Sequence, residues 1–404
     1  MQTPQDDTHP PVHWVEFWFA PQRLRLLLLA ICLGLAGAAV FPVMSTHLAE
    51  GLNVSPFWIG LFFALNTIAG VTISLSLAKA SDQGLGRVRI LWVSVVVSMV
   101  GAVALGYTTH YGLLLVIGMI WFGMSSVSQP QIFALAREQV EEEQAALFQS
   151  VLRACISLSW IVGPPAAYLL FDLIGFTALM WITASLFGIS LLLLPGLPES
   201  LLNKQTPVRT PTNRRIKWLS LMILAVFAAN SMYIVYMPLY LRDTLAMAGM
   251  APGLLMGLAA GLEIPIMVAG GALAHRWPLF RPLWVAVFGG IVFYAGVYLA
   301  QGFTTLAALQ IFNGVLIGLA AGIGISVFQK LMPGRAGMAS TLYTNAIKVG
   351  SLVGAAMGGI IAELGGYQNV FLANLALMLV ALFALYQCTH SRHDAEFPTR
   401  AVRR

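Results

Sequence analysis

Charged residues are scarce in this sequence: Asp, Glu, Lys and Arg make up 9% of its 404 residues. A soluble globular domain has about a quarter charged residues, so the chain lacks the polar surface of a soluble protein. Hydrophobic residues account for 58% of it, and its mean hydropathy is +0.81. We therefore expect most of its surface to contact lipid. Its net charge of +6 does not indicate nucleic-acid binding, because the basic residues are concentrated in the terminal segments and in the loops on one side of the membrane.

The sequence also lacks the residue patterns of a metal, redox or hydrolytic centre. Its three cysteines, Cys32, Cys155 and Cys388, are isolated in apolar runs, without a CxxC motif or a Cys/His cluster. No Ser/His/Asp arrangement or phosphate-binding glycine loop has a workable spacing. The polar start of the chain is followed by an apolar run that is too long for a signal peptide and has no cleavage site. We expect no enzyme, cofactor, metal site or removable signal peptide.

Long apolar runs dominate instead, and turn signals divide them into twelve candidate membrane-spanning helices. Both termini then lie on one side of the membrane. The predicted spans are residues 24–46, 55–78, 90–109, 111–136, 145–171, 177–197, 218–241, 252–274, 284–302, 304–329, 336–362 and 367–388.

The basic residues predict which side that is. Of the 22 Lys and Arg residues, all but Arg242, Arg153 and Lys348, which leaves nineteen, fall in or beside the terminal segments and the loops on the same side. Such a bias marks the cytoplasmic side, so we expect both termini in the cytoplasm of a bacterium, with the chain in its inner membrane. The predicted domains are a tail (1–23), a six-helix bundle (24–197), a linker (198–217), a second six-helix bundle (218–388) and a tail (389–404).

The two predicted bundles are related by an internal repeat. Pro42 and Pro56 recur 196 positions later as Pro238 and Pro252, and Arg153 recurs 195 positions later as Lys348. The fold class predicted is therefore an all-α membrane protein with twelve transmembrane helices in two pseudo-symmetric six-helix bundles. Two such halves are typical of membrane transporters, in which the substrate binds between the halves, near the membrane midplane.

The predicted span 252–274 carries a carboxyl group, that of Glu263, near its centre. A charge there costs at least roughly 2.5–3.5 kcal/mol, so intramembrane acids usually face a cavity and have a function. Apolar surroundings favour the neutral form of a carboxyl group, which would let Glu263 load and release a proton near neutral pH. Two alternatives stay open: Glu263 binds a substrate hydroxyl without carrying protons, or it stays protonated in a structural hydrogen bond. Aligning Gly60 with Gly257 places Asn66 opposite Glu263.

Two cations and a set of polar side chains accompany Glu263 inside the spans. Arg153 and Lys348 either bind substrate or balance the charge of Glu263, or they extend to the cytoplasmic membrane surface. Amides both donate and accept hydrogen bonds, as sugar hydroxyls do, and aromatic rings can cover the apolar face of a pyranose. Each amide alone could equally join two helices. The further candidate substrate-binding residues are Asn66, Asn230, Tyr233, Tyr236, Gln310, Asn313, Asn345 and Gln129.

Several strings resemble the bacterial sugar efflux transporters of the major facilitator superfamily. The resemblance extends from the first span to the twelfth and leaves out the tails and the linker. It implies a single-chain inner-membrane exporter of simple sugars and glycosides, such as lactose or glucose, driven by the proton gradient. The strings are PFWIGLF (56–62), PQIFALARE (130–138), WIVGPP (160–165), GLAAGLEIP (257–265) and LMPGRAG (331–337).

The same resemblance implies gating residues. The loop AKASDQGLGRVR (78–89) is similar to the superfamily pattern G-x-x-x-D-R-x-G-R-R, in which the acid and the basic pair latch the cytoplasmic gate. Asp82 and Arg87 occupy those positions, although Gln83 replaces the first arginine and one residue is inserted. Gly163 and Pro164 resemble the Gly-Pro signature of antiporters. Glycine there would let helices approach closely, and proline would remove one backbone hydrogen bond.

Three classes of function remain open at this stage. The first is proton-coupled sugar export by alternating access, with protons, a small sugar and the lipid bilayer as partners. The second is a multidrug/proton antiporter for amphipathic compounds on the same fold. The third is a transporter-like receptor, which the absence of any predicted soluble domain disfavours. A chain that contains both halves needs no second copy, so we expect a monomer that binds no nucleic acid.

Overall fold

The computed structural model describes residues 20–140, 142–199, 214–247, 249–273, 276–333 and 335–390, and no strand occurs among them. Short π-helical turns, His47–Gly51 and Tyr240–Thr244, extend the first and sixth helical segments. The segments are α1 (Pro21–Thr46), α2 (Pro56–Asp82), α3 (Arg87–Tyr107), α4 (Tyr111–Glu138), α5 (Glu142–Leu193), α6 (Arg214–Leu239), α7 (Ala251–Leu273), α8 (Arg281–Leu299), α9 (Phe303–Leu331), α10 (Ala336–Gly365) and α11 (Tyr367–His390).

All eleven segments contain helices long and apolar enough to cross a membrane, which confirms the predicted all-helical membrane architecture. Lipid offers no hydrogen bonds to backbone groups, so a spanning segment must satisfy them internally, as an α-helix does. Pro56 begins α2, where its missing N–H leaves no intrahelical hydrogen bond unmade. Pro42 and Pro238, related by the repeat, lie inside α1 and α6 near the π-helical turns.

The segment α5 contains two helices that meet at Gly175. That residue has φ 82° and ψ 171°, a conformation that glycine adopts without the penalty of a Cβ atom. Ser159 donates a hydrogen bond to the Ile31 carbonyl, and the Pro195 carbonyl accepts one from Arg25. The first helix of α5 and the end of its second helix therefore both lie beside the first half of α1. The chain turns back at Gly175, which agrees with the two separate spans predicted at 145–171 and 177–197.

Each half of the chain has a hydrophobic core of its own. One cluster of buried side chains contains only residues from 216 onward, and a second contains only residues up to 197. A third cluster joins the halves: it combines residues of α1, α2 and α5 with Met232, Tyr236 and Ala355. Because this shared core lies toward the His47–Gly51 and Tyr240–Thr244 turns, we call this end of the molecule the closed end.

Glycines form the contact between the halves at the closed end. A Cβ atom on Gly60 of α2 would lie 2.7 Å from the Ala355 carbonyl oxygen of α10. On the other side of the molecule, a Cβ atom on Gly257 of α7 would lie 2.5 Å from the Ile161 carbonyl oxygen of α5. Ordinary contacts are longer than 3.4 Å, so only glycine lets these helix pairs approach so closely. The repeat thus appears in space as two similar seams, α2 with α10 and α5 with α7.

Charged groups join the halves at the same end. The Arg242 guanidinium bonds to Glu50 at 2.7 Å and to Asp172 at 3.2 Å, so one C-terminal cation holds two N-terminal carboxylates. Its side chain is only 13% exposed. Glu363 of α10 accepts a hydrogen bond of 3.2 Å from the Phe57 N–H, in the first turn of α2. A carboxylate is favoured there because the first N–H groups of a helix have no partner within it.

We predict that Gly257→Ala destabilises the α5–α7 seam, whereas Gly261→Ala does not. Both changes raise the helix propensity of α7 by roughly 1 kcal/mol. The Gly257 methyl group would meet α5, but nothing lies within 4 Å of a Cβ atom on Gly261. Overpacking costs about 1–3 kcal/mol. Thermal unfolding in detergent should therefore give a lower midpoint for Gly257→Ala than for Gly261→Ala, and equal midpoints would contradict the seam.

We also predict that Arg242→Ala lets the closed end separate more often. Spin labels at His110 and Gln301, exposed loop positions in the two halves at that end, would measure their distance in a cysteine-free background. A partly exposed ion pair contributes up to about 1 kcal/mol, so the separated population should rise by up to about fivefold. Arg281→Ala removes the same charge beside Trp277, at the other end, and should leave the distances unchanged. Identical distance distributions for Arg242→Ala and wild type would show that the Arg242 ion pairs do not hold the closed end together.

Candidate functional site

A cavity of about 250 Å³ lies between the halves, close to the lower end of the range for small-molecule sites (roughly 300–1,000 Å³). Its wall comes from α5 of the N-terminal half and from α6, α7 and α9 of the C-terminal half. Apolar side chains form most of the wall, with a few polar groups among them. The lining residues are Ser157, Trp160, Asn230, Tyr233, Ile234, Met256, Ala259, Ala260, Glu263, Asn313 and Ile317.

Glu263 lines this cavity because of close packing between α7 and α9. Gly314, Gly318 and Gly322 recur every four residues and form one face of α9. A Cβ atom on Gly318 would lie 3.0 Å from the Glu263 carbonyl oxygen, so the α7 backbone rests directly on this glycine face. The Glu263 side chain is half-buried and forms no hydrogen bond or ion pair with the residues that the structure describes. It is therefore a carboxyl group available to a ligand or a proton.

A buried hydrogen-bonded network lies behind one wall of the cavity. The Tyr233 hydroxyl donates to Gln310 Oε1 at 3.1 Å, and Asn313 Nδ2 donates to the same oxygen at 3.0 Å. Gln310 Nε2 in turn donates to the Leu306 carbonyl at 3.1 Å. Tyr233 and Asn313 line the cavity, whereas Gln310 is fully buried and does not. Asn313 Oδ1 is buried and has no partner among the described residues.

The two intramembrane cations lie outside the cavity wall. Arg153 is exposed and precedes Ser157 by one turn of α5, on the side away from the closed end. Lys348 is half-buried on α10. Neither cation has an ion-pair partner among the described residues, so both charges are free to meet a substrate or Glu263.

The structure places the other candidate substrate-binding residues away from this cavity. Asn66 is buried in the N-terminal half, where its Nδ2 donates to the Phe62 carbonyl at 2.6 Å. The Tyr236 hydroxyl donates to the Ala355 carbonyl at 2.9 Å, within the shared core. Gln129 and Asn345 are exposed. Substrate contact by these four residues remains a prediction.

The candidate gating residues make contacts of three kinds. Gly163 of α5 faces Ala38 of α1, and the Pro164 carbonyl faces Gly253 of α7 across the halves. Arg87 bonds to Glu138 Oε1 at 3.2 Å at the end opposite the closed end. It also donates to Gln131 Oε1 at 3.3 Å, so α3 and α4 are joined there. The side chain of Asp82 lies outside the described part of the structure.

Sequence reasoning did not identify several wall residues. Ser157 and Trp160 lie one and two turns beyond Arg153 on the same face of α5, so helical periodicity from that charged residue is the signal that points to them. The apolar wall residues carry no comparable signal, because their types are those of any packed helix. They are Ile234, Met256, Ala259, Ala260 and Ile317.

Known proteins resemble this chain in both sequence and fold. The Major Facilitator Superfamily model matches residues 26–344. Sugar efflux transporter A of Escherichia coli (strain K12) is 37% identical over 88% of this chain and 93% of its own length. Sugar efflux transporter A of Dickeya chrysanthemi is 36% identical over 89% of this chain and 94% of its own length. The nucleoside transporter NupG superposes with a TM-score of 0.78 at 15% identity, over 92% of this chain and 100% of NupG.

We predict that a cysteine at position 157 reacts with a maleimide much faster than one at position 159. Ser157 lines the cavity, whereas Ser159, two residues further on, is 1% exposed and bonds to the Cys155 and Ile31 carbonyls. We compare Ser157→Cys with Ser159→Cys in a background without the three native cysteines. The two positions lie close together in α5, so a difference in labelling rate reports access to the cavity. Equal labelling rates on the folded proteins would contradict the cavity.

Proposed function

The chain belongs to the sugar efflux transporter family of the major facilitator superfamily, and we propose that it exports simple sugars and glycosides in exchange for protons. It is a multi-pass membrane transporter and not an enzyme. The observation that carries the proposal is the placement of Glu263 in a cavity between the halves, beside Asn230, Tyr233 and Asn313. These groups suit the hydroxyls of a sugar and provide one titratable group.

The proposed topology has twelve transmembrane helices in two six-helix bundles. In this topology α5 crosses the membrane twice, once on each side of Gly175, so the eleven helical segments contain twelve helices. With both termini in the cytoplasm, as the basic residues predict, the closed end faces the periplasm. The protein then stands in an inward-facing state. Lipid surrounds a single chain, whose two halves provide the whole site without a second copy.

Export proceeds by alternating access in this scheme. The ion pairs of Arg242 and the glycine seams hold the periplasmic end together while the cavity opens to the cytoplasm. Separation of these contacts opens the periplasmic end, and the opposite end then closes. Asp82 and Arg87 belong to the cytoplasmic gate. Gly163 and Pro164 lie where α5 meets α1 and α7.

A sugar bound in the cavity would meet different chemistry on its two sides. The Trp160 ring, on α5, can cover an apolar C–H face of a pyranose, while the polar groups of α6, α7 and α9 meet its hydroxyls. Arg153, one turn from the cavity, balances the Glu263 charge in this proposal when no proton is bound. A site for amphipathic drugs would be expected to have more Met and aromatic residues and fewer amides in its wall.

Glu263 couples sugar and proton movement in the proposed cycle. In the periplasm-open state it takes a proton as sugar leaves, and in the cytoplasm-open state it releases the proton as sugar binds. When the site holds no sugar, only the neutral side chain crosses between these states without the cost of a charge in an apolar space. When sugar is bound, its hydroxyls donate to the ionised carboxylate and offset that cost. Glu263→Gln mimics that neutral form permanently and has no proton to release.

Proton flux into liposomes that contain the purified transporter tests the proposal. Lactose or glucose should drive flux through wild type and through Glu199→Gln, whose carboxyl group lies outside the cavity. Glu263→Gln should reduce the flux to the level of protein-free liposomes while sugar exchange continues. Unchanged coupling in Glu263→Gln would remove its proton role. A response to a hydrophobic cation alone would favour the multidrug alternative over sugar export.

A further inference from the structure

We infer that Gln310 is a positioning residue that makes Tyr233 and Asn313 present hydrogen-bond acceptors to the substrate. The site would then recognise sugar hydroxyls mainly as donors. This inference rests on the proposed export of sugars and adds the direction of the hydrogen bonds. Gln310 itself does not line the cavity, so it acts only through its two neighbours.

The orientation of the Gln310 amide follows from its contact with its own helix. Its Nε2 donates to the Leu306 carbonyl, one turn earlier in α9, at 3.1 Å. A carbonyl oxygen cannot accept from another carbonyl oxygen, so the flipped amide would lose this bond. Gln310 is fully buried, where no water replaces a lost partner. Its Oε1 is therefore fixed on the side of Tyr233 and Asn313.

Both lone-pair positions of that oxygen are occupied. The Tyr233 hydroxyl donates to it at 3.1 Å and Asn313 Nδ2 at 3.0 Å. A phenol has a single proton, so the bond to Gln310 leaves the Tyr233 oxygen with only acceptor capacity. The bond from Asn313 Nδ2 fixes the Asn313 amide in the same way, so its Oδ1 points elsewhere.

Asn313 Oδ1 is the group that points to a ligand. It is buried, the residue is 3% exposed, and no described residue donates to this oxygen. A buried acceptor without a partner is costly, yet Asn313 lies in the cavity wall, where a bound molecule can satisfy it. Together with Tyr233 and the ionised Glu263, Asn313 gives the wall three residues whose remaining hydrogen-bonding capacity is to accept. A polyol, which carries a proton on each hydroxyl, is the ligand class that complements them.

Glucose analogues in which one hydroxyl is replaced test the direction of these bonds. Fluorine resembles a hydroxyl in size but has no proton to donate, whereas hydrogen can neither donate nor accept. At the positions that face Tyr233 and Asn313, the fluoro sugar should bind wild type as weakly as the deoxy sugar, about five- to tenfold below glucose. Binding is measured on the purified transporter by titration of its tryptophan fluorescence.

The variant Gln310→Met separates positioning from folding. Without the Gln310 oxygen, the Tyr233 hydroxyl and the Asn313 amide can rotate and donate, so the preference for glucose over the fluoro sugars should fall to within about twofold. Gln329→Met changes a half-buried glutamine of the same helix that bonds to Ser340, and it should keep the wild-type preference. A merely structural role would lower the binding of all the sugars in parallel.

The outcomes separate this inference from the proposed function. If glucose does not bind wild type, sugar export fails and the inference fails with it. If glucose binds but fluoro sugars bind wild type equally well, or Gln310→Met keeps the full preference, only the inference is overturned. Should Gln310→Met not fold, Tyr233→Phe decides, because it keeps Gln310 and Asn313 but removes one acceptor. The inference requires that it lose the fluoro penalty at one position and retain it at the other.

Discussion

The structure depends on one constraint: polar groups inside an apolar layer must be satisfied by the protein, because lipid cannot do it. The backbone meets this requirement by being helical across every described apolar segment. Side chains meet it locally, as Thr183 does by donating to the Leu179 carbonyl one turn earlier. A buried polar group without a partner, such as Asn313 Oδ1, is therefore informative. Its burial costs free energy, and a ligand that supplies the missing hydrogen bond removes that cost.

Glycine residues determine where a ligand can bind, because they set the position of the cavity. The glycine face of α9 brings the α7 backbone into contact and thereby sets the position of Glu263, while Gly257 brings α7 against α5. The cavity is bounded by the same helices, so its shape follows from how closely backbones can approach. Recognition and closure of the protein thus share structural elements. A shift of α7 along either glycine contact would move Glu263 relative to α5 and alter the closed end at the same time.

Much of the fold could be predicted from sequence because it depends on properties that a single segment carries. Hydropathy and helix length identified the membrane-spanning segments, and the break at Gly175 lies between the predicted spans 145–171 and 177–197. The cost of an intramembrane carboxyl group singled out Glu263, which does line the cavity. Partner choice was less predictable, because it depends on distances between segments. The Tyr236 hydroxyl bonds to Ala355, and Gln310 lies one layer behind the wall, although both have the residue types expected of a sugar contact.

The hydrogen bond between Glu363 and the first turn of α2 has a consequence for the solvent. In the closed form, a carboxylate of one half completes the helix of the other. When the halves separate, the Phe57 N–H and the Glu363 oxygen must both be hydrated, as must the Arg242 guanidinium and its two carboxylates. Opening this end takes up water and closing it releases water. Solutes that are excluded from protein surfaces therefore oppose the hydration of this end, while the opposite end, which closes as this one opens, releases water in turn.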